Sequence, residues 1–180
     1  VGGAAAVTEH LLAEGASTVW HLAGPSDWFE AQARVQGWRW ALRRAGLDPP
    51  PLVHGDWTAA SGYQLGLQLA ARPGVDAIFV ANDQMAIGLS RALYERGIGV
   101  PTDVLVAGFD DIPESAYLTP PLTTVRQNFG AVGQHAVDLL VASLTGDPVA
   151  ESVVVPAELV VRESSIRPSR GPSPRGWTPA

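Results

Sequence analysis

The sequence holds no cysteine and no lysine. Without cysteine there are no disulfides, no thiol catalysis and no cysteine-based zinc site. Without lysine there is no lysine Schiff base and no P-loop, which needs a lysine on its phosphates. All 12 basic residues are therefore arginine, against 18 acids, for a net charge of −6. Nine of those arginines and all 18 acids precede residue 167, so this body carries −9. Such an acidic surface is by itself a poor partner for nucleic acid. No apolar run is long enough to span a bilayer, and no secretory leader opens the chain. What remains is an ordinary globular composition of 180 residues, 46% hydrophobic and 17% charged, enough for a sizeable core.

Residues 76–111 organise the rest. Residues 77–81 form a short apolar run of the kind a strand buried on both faces shows. Asn82 and Asp83 follow, both good helix N-caps. Met85, Leu89 and Leu93 recur every four residues with Ala86 and Ala92 beside them, an apolar helix stripe. Gly97 and Gly99 stop this helix and Pro101 prevents its restart. Residues 104–109 form a second buried strand ending at Asp110 and Asp111. A helical crossover of this length makes the two strands parallel neighbours. Asn82, Asp83, Asp110 and Asp111 then stand where strands run out, the place where open parallel sheets bind ligands. The plainer reading is that these four only cap helices and turns.

The run VANDQMAIGLSRALYERGIGVPTDVLVAGFDD resembles the effector-binding core of the lactose-repressor family of bacterial transcription regulators. The likeness continues through Pro120-Pro121-Leu122-Thr123-Thr124-Val125-Arg126-Gln127 and covers roughly residues 1–166. It implies an α/β fold, a doubly wound parallel sheet forming a periplasmic-binding-protein-like lobe plus part of a second lobe. The implied division gives 1–126 to the C-terminal lobe, 127–155 to the N-terminal lobe, 156–166 to a return, and 167–180 to a disordered tail. The larger part of the second lobe and a helix-turn-helix headpiece are expected upstream of residue 1.

Taken in order, residues 2–15 read as a helix and 17–23 as a strand, with Gly24-Pro25-Ser26 as its exit loop. Residues 27–46 form a long helix with Ala31, Val35, Trp38 and Leu42 as its apolar face. Arg34 lies early in it, close to a strand end, where a guanidinium can fork two hydroxyls or a carboxylate. Residues 52–55 read as a strand and Thr58 caps a helix running to about Arg72. Trp57 sits in the intervening loop, either as a core aromatic or as an apolar platform for a pyranose ring. Residues 123–127 resume as a strand, and 129–144 as a helix with Val132, Ala136, Leu139 and Leu140 inward. Residues 153–155 and 158–162 read as short strands, and the Pro-, Ser- and Arg-rich end of the chain as disordered.

Catalytic chemistry finds little support. His10, His21, His54 and His135 show no metal-pair spacing, and Ser90 lies inside a helix rather than at a nucleophile elbow. Asp110 and Asp111, on an extended segment, point to opposite sides and cannot share a proton as a dyad. No cofactor and no metal are expected. A magnesium-dependent phosphatase would need a phosphate cradle that nothing supplies. A periplasmic sugar-binding protein is the alternative with the same architecture.

By the resemblance, Arg34, Trp57, Asn82, Asp110 and Gln127 match the family's pocket in type, with Phe129 beside them at the lobe crossover. A sugar effector is implied, a galactoside being the first to test, with operator DNA contacted only through the headpiece. A cytoplasmic homodimer is implied as well. Its candidate contacts are Gly88, Arg91, Tyr94, Ser115, Tyr117, Leu118 and Leu122, on segments expected near the surface. A tetramer through a C-terminal leucine heptad is not expected, because residues 168–180 hold no leucine and four prolines.

Overall fold

The computed structural model describes residues 1–145 and 153–168. Four parallel strands form the main sheet in the order β2-β1-β3-β4. They are β1 (Trp20–Ala23), β2 (Val53–His54), β3 (Ala77–Val80) and β4 (Leu105–Ala107). The helices between and before them are α1 (Gly2–Ala13), α2 (Phe29–Arg44), α3 (Ala59–Ala70) and α4 (Asp83–Glu95). Strand order reverses at β1 and β3, so helices must cover both faces, as a doubly wound sheet requires. The side chains of β3 show how. Ala77 and Phe79 join Val7, Leu11, Trp38 and Leu42 of α1 and α2 on one face. Ile78 and Val80 join Leu69, Met85, Leu89 and Leu93 of α3 and α4 on the other. The two-residue period of the strand thus divides one apolar run between two cores.

Helices α3 and α4 pack with backbones nearly touching. A Cβ at Gly62 would strike the backbone of Met85, and one at Gly88 the carbonyl of Ala59. His21 on β1 is fully buried, stacked on Phe79 with ring centroids 4.4 Å apart. Its Nδ1–H donates to the Phe79 carbonyl at 2.9 Å, while Nε2 has no partner among the described residues. Burial holds its pKa down to about 3.

Beyond β4 the chain makes a 3-10 turn (Pro113–Tyr117) and enters β5 (Thr124–Arg126). Bridges from Ala107 to Thr123 and from Asp110 to Arg126 lay β5 parallel beside the end of β4. Strand β6 (Glu158–Val160) pairs antiparallel with β5, so the sheet edge departs from the all-parallel expectation. Only residues 158–160 of the 158–162 segment are strand, and residues 153–155 are not strand at all.

Helix α5 (Phe129–Thr145) forms as expected but its apolar side chains are not inward. None of its residues is buried; Val132, Val137, Leu140 and Val141 are exposed, and Leu144 is 78% exposed. The periodicity correctly marked an apolar face, but nothing among the described residues covers it. Of the expected disordered tail, residues 169–180 lie outside the described residues. Arg167 is held in place, its backbone N–H 3.4 Å from Glu14 Oε2.

Candidate functional site

The carboxyl ends of the parallel strands open into a cleft of about 550 Å³, lined by Trp28, Glu30, Arg34, Trp57, Asn82, Asp110, Gln127 and Phe129. All six residues expected to touch a ligand are therefore together. They arrive from different crossovers, because each strand-to-helix loop of a parallel sheet ends at this edge.

Arg34 is the buried centre. It lies one and a half turns into α2, with its guanidinium over the Phe109 ring at 4.1 Å and within 5.4 Å of the Trp57 ring. One Nη donates to the Ala81 carbonyl at 2.7 Å and the other to Asp110 Oδ1 at 3.1 Å. Gln127 Nε2 donates to the same oxygen at 2.7 Å. Asp110 Oδ1 is thus spent on protein donors, while Oδ2 makes no hydrogen bond among the described residues. Burial pushes the Asp110 carboxyl up, opposed by the Arg34 charge and the Gln127 amide. Burial likewise lowers the Arg34 pKa, opposed by Asp110, so the pair is held together against desolvation.

Asn82 does two jobs. Its Oδ1 accepts from the Met85 N–H at 3.0 Å, capping α4, and its Nδ2 donates to the Trp57 carbonyl at 3.0 Å. The capping and the site readings are compatible, since a primary amide retains a second N–H. Trp57 adopts φ = 75°, a conformation bulky residues avoid. The turn around it is fixed: Asp56 Oδ1 accepts from both the N–H and the hydroxyl of Thr58, at 2.9 and 2.6 Å. Thr58 in turn caps α3 through the Ser61 N–H. Those Thr58 bonds, with the Ser61 hydroxyl next in weight, hold the Asp56 carboxyl down to about 2. The Trp57 ring lies where a side chain at Gly24 would be, which is why that exit loop needs glycine.

Asp110 and Asp111 are not on extended backbone. Both have positive φ, 110° and 54°. Their carboxylates still part company. Asp111 accepts from Arg126 Nε at 2.6 Å and Arg162 Nη2 at 2.7 Å, away from the cleft. Burial works against its charge, but the two guanidiniums outweigh it and hold the carboxyl below its ordinary range. Asp83 is also structural, wholly buried among Ser115, Thr124 and the Ile112 N–H.

The profile of the periplasmic binding protein-like domain matches residues 8–165. The chain is 40% identical over 162 residues to the lactose operon repressor of Escherichia coli, covering 89% of this chain and 45% of that protein. It is 46% identical over 112 residues to the lactose operon repressor of Rhizobium radiobacter, covering 61% of this chain and 97% of that sequence. The crystal structure of the lac repressor dimer bound to operator and an anti-inducer superposes with a TM-score of 0.87 at 39% identity, over 91% of this chain and 58% of that one. The chain belongs to the lactose-repressor family. It spans about half the length of the curated Escherichia coli relatives it matches, in their periplasmic-binding-protein-like portion.

Two cleft residues, Trp28 and Glu30, were not anticipated. Both sit on the exit of β1, and Glu30 is one helical turn before Arg34, so the same strand-end argument applies to them. The expected dimer contacts divide. Tyr94 and Tyr117 are 77% and 86% exposed, Arg91 is exposed, and Leu118 is half-buried. Gly88 is instead buried against α3, Ser115 is bonded to Asp83, and Leu122 belongs to the core under α4. As interior residues of the lobe these three offer no surface to a second copy. No helix among the described residues is long and apolar enough to cross a membrane.

Proposed function

We propose that this chain is the sugar-sensing portion of a bacterial transcriptional regulator. The observation that carries the reading is the Gln127–Asp110–Arg34 hydrogen-bonded chain beside the Trp57 ring. A carboxylate with one committed and one free oxygen serves neighbouring hydroxyls, and an indole face serves the apolar side of a pyranose. A galactoside is the first ligand to try. The relatives named above are repressors rather than enzymes. In this reading α5 packs its exposed apolar face into a second lobe carried elsewhere in the full-length protein. Sugar closing the cleft then changes how two lobes sit and, through a headpiece, the affinity for operator DNA in the cytoplasm. The regulator is a homodimer through Arg91, Tyr94, Tyr117 and Leu118.

The test is calorimetric titration of the full-length regulator with a panel of mono- and disaccharides. Asp110→Asn keeps an oxygen for Arg34 and Gln127 but turns the free acceptor into a donor. It and Arg34→Ala should each weaken binding by about 1.5–3 kcal/mol, roughly 10- to 150-fold. Parent-like affinity in both variants would place the site elsewhere.

A further inference from the structure

Trp28 and Glu30 extend the cleft beyond the hydroxyl-binding floor. Trp28 occupies the position just before α2, where its N–H bonds back to the Pro25 carbonyl at 3.2 Å. Its ring meets the Trp57 ring edge-on, centroids 5.9 Å apart at 67°. It remains 52% exposed, a second aromatic face set across the first and open to the cleft mouth. Phe129, also exposed, lines the same cleft. Indole faces left in water at a cleft mouth are stabilised by whatever apolar surface covers them. Glu30 stands one helical turn from Arg34 on the same face. Unlike Asp110, its carboxylate has no hydrogen bond or ion pair among the described residues. Two free acceptor oxygens beside an aromatic face are what a second sugar ring needs.

Charge narrows the ligand further. The Arg34 guanidinium is already paired with Asp110. Glu30 then leaves the cleft with one uncompensated negative charge, which repels uronates and sugar phosphates.

We propose that Trp28 and Glu30 form a second subsite, making the effector a neutral disaccharide. One ring sits on Arg34, Asp110 and Trp57, and the next lies against Trp28 with its hydroxyls on Glu30. This rests on the sugar-sensing reading above.

The experiment titrates the full-length regulator with lactose, cellobiose and maltose, and with methyl β-galactoside and methyl glucosides as one-ring probes. Wild type, Trp28→Ser and Glu30→Gln are compared; both positions are exposed, so neither change threatens the fold. The best disaccharide should bind about tenfold tighter than its one-ring counterpart, the scale of one good aromatic or charge-assisted contact. Trp28→Ser should remove that advantage while changing one-ring affinity far less, and Glu30→Gln should weaken only the disaccharide. If Trp28→Ser weakens both probes equally, or the methyl glycosides bind as tightly as the disaccharides, the second subsite is refuted and the sugar reading stands. If no sugar of either length binds wild type, the sugar reading falls and the subsite with it.

Discussion

Asp83 separates a strand-end carboxylate that builds the fold from one that faces the cleft. It opens α4 and is fully buried. Oδ1 accepts from Thr124 Oγ1 at 2.7 Å; Oδ2 accepts from Ser115 Oγ at 2.7 Å and the Ile112 N–H at 3.0 Å. One side chain thereby ties the start of α4 to the 3-10 turn and to β5. Burial pushes its pKa up against those donors, which stabilise the charge. Asp83→Ala strands all three donors. The two hydroxyls can rotate towards other acceptors, but the Ile112 N–H cannot. Gross bonds to a charged acceptor are worth about 1.5–3 kcal/mol each, and relief of the buried charge offsets part of the total. A net loss of about 3–5 kcal/mol is expected, the range for breaking a buried charged contact. Asp83→Asn can keep its oxygen on Ser115 and Ile112 and turn its amide to the Thr124 hydroxyl, so it should cost about 1–2 kcal/mol. Urea unfolding at neutral pH reads both as midpoint shifts at constant slope. If Asp83→Ala unfolds within about 0.5 kcal/mol of wild type, the scatter expected of an ordinary surface change, the knot carries no weight.

His21 predicts acid sensitivity. Unfolded, it takes a proton near pH 6.5; folded, not until about pH 3. Between those values the unfolded chain binds the extra proton, so stability falls as pH drops, by up to about 1.4 kcal/mol per pH unit and about 5 kcal/mol in all. His21→Phe keeps the stack on Phe79 and should flatten the decline between pH 6.5 and 4.5 in denaturant midpoints; parallel profiles would show that another group titrates. For association, sedimentation of the full-length regulator should show a dimer that Tyr117→Asp and Leu118→Asp weaken. A dimer indifferent to both changes would move the interface off this face.

The sheet was legible because its strands are short apolar runs bounded by caps, and burial on both faces leaves few alternatives for such runs. Its edges were less so. β2 shrinks to Val53–His54, and β6 reverses direction, since pairing partners at an edge are set by tertiary geometry rather than by composition. The α5 stripe told that an apolar face exists but not what covers it. Three of the seven expected interface residues turned out interior for a related reason. Being on a segment near the surface does not say which side of that segment faces out, and Gly88 and Leu122 face in.

The site was legible in its residue types and hidden in its backbone. Asn82 and Asp110 could be named because strand ends of a parallel sheet converge, whereas Arg34, Trp57 and Gln127 were completed by the family resemblance. That two of them hold positive φ could not, since tryptophan avoids it and aspartate, though more tolerant, adopts it only occasionally. Such conformations cost of order 1–3 kcal/mol each and persist only where neighbours over-determine them. Here the neighbours are identifiable. The Asp56–Thr58 turn and the Asn82 amide hold Trp57. For Asp110 it is the bond from its N–H to the Val125 carbonyl at 2.8 Å, followed by Asp111 clamped between Arg126 and Arg162. Asp111 faces away from the cleft yet fixes the backbone that aims Asp110 into it. Adjacent aspartates in the sequence thus divide the work: the second anchors on β5 and the segment after β6, and the first is presented to the cleft. Because those anchors lie on the edge next to α5, a shift of that edge would re-aim Asp110 directly.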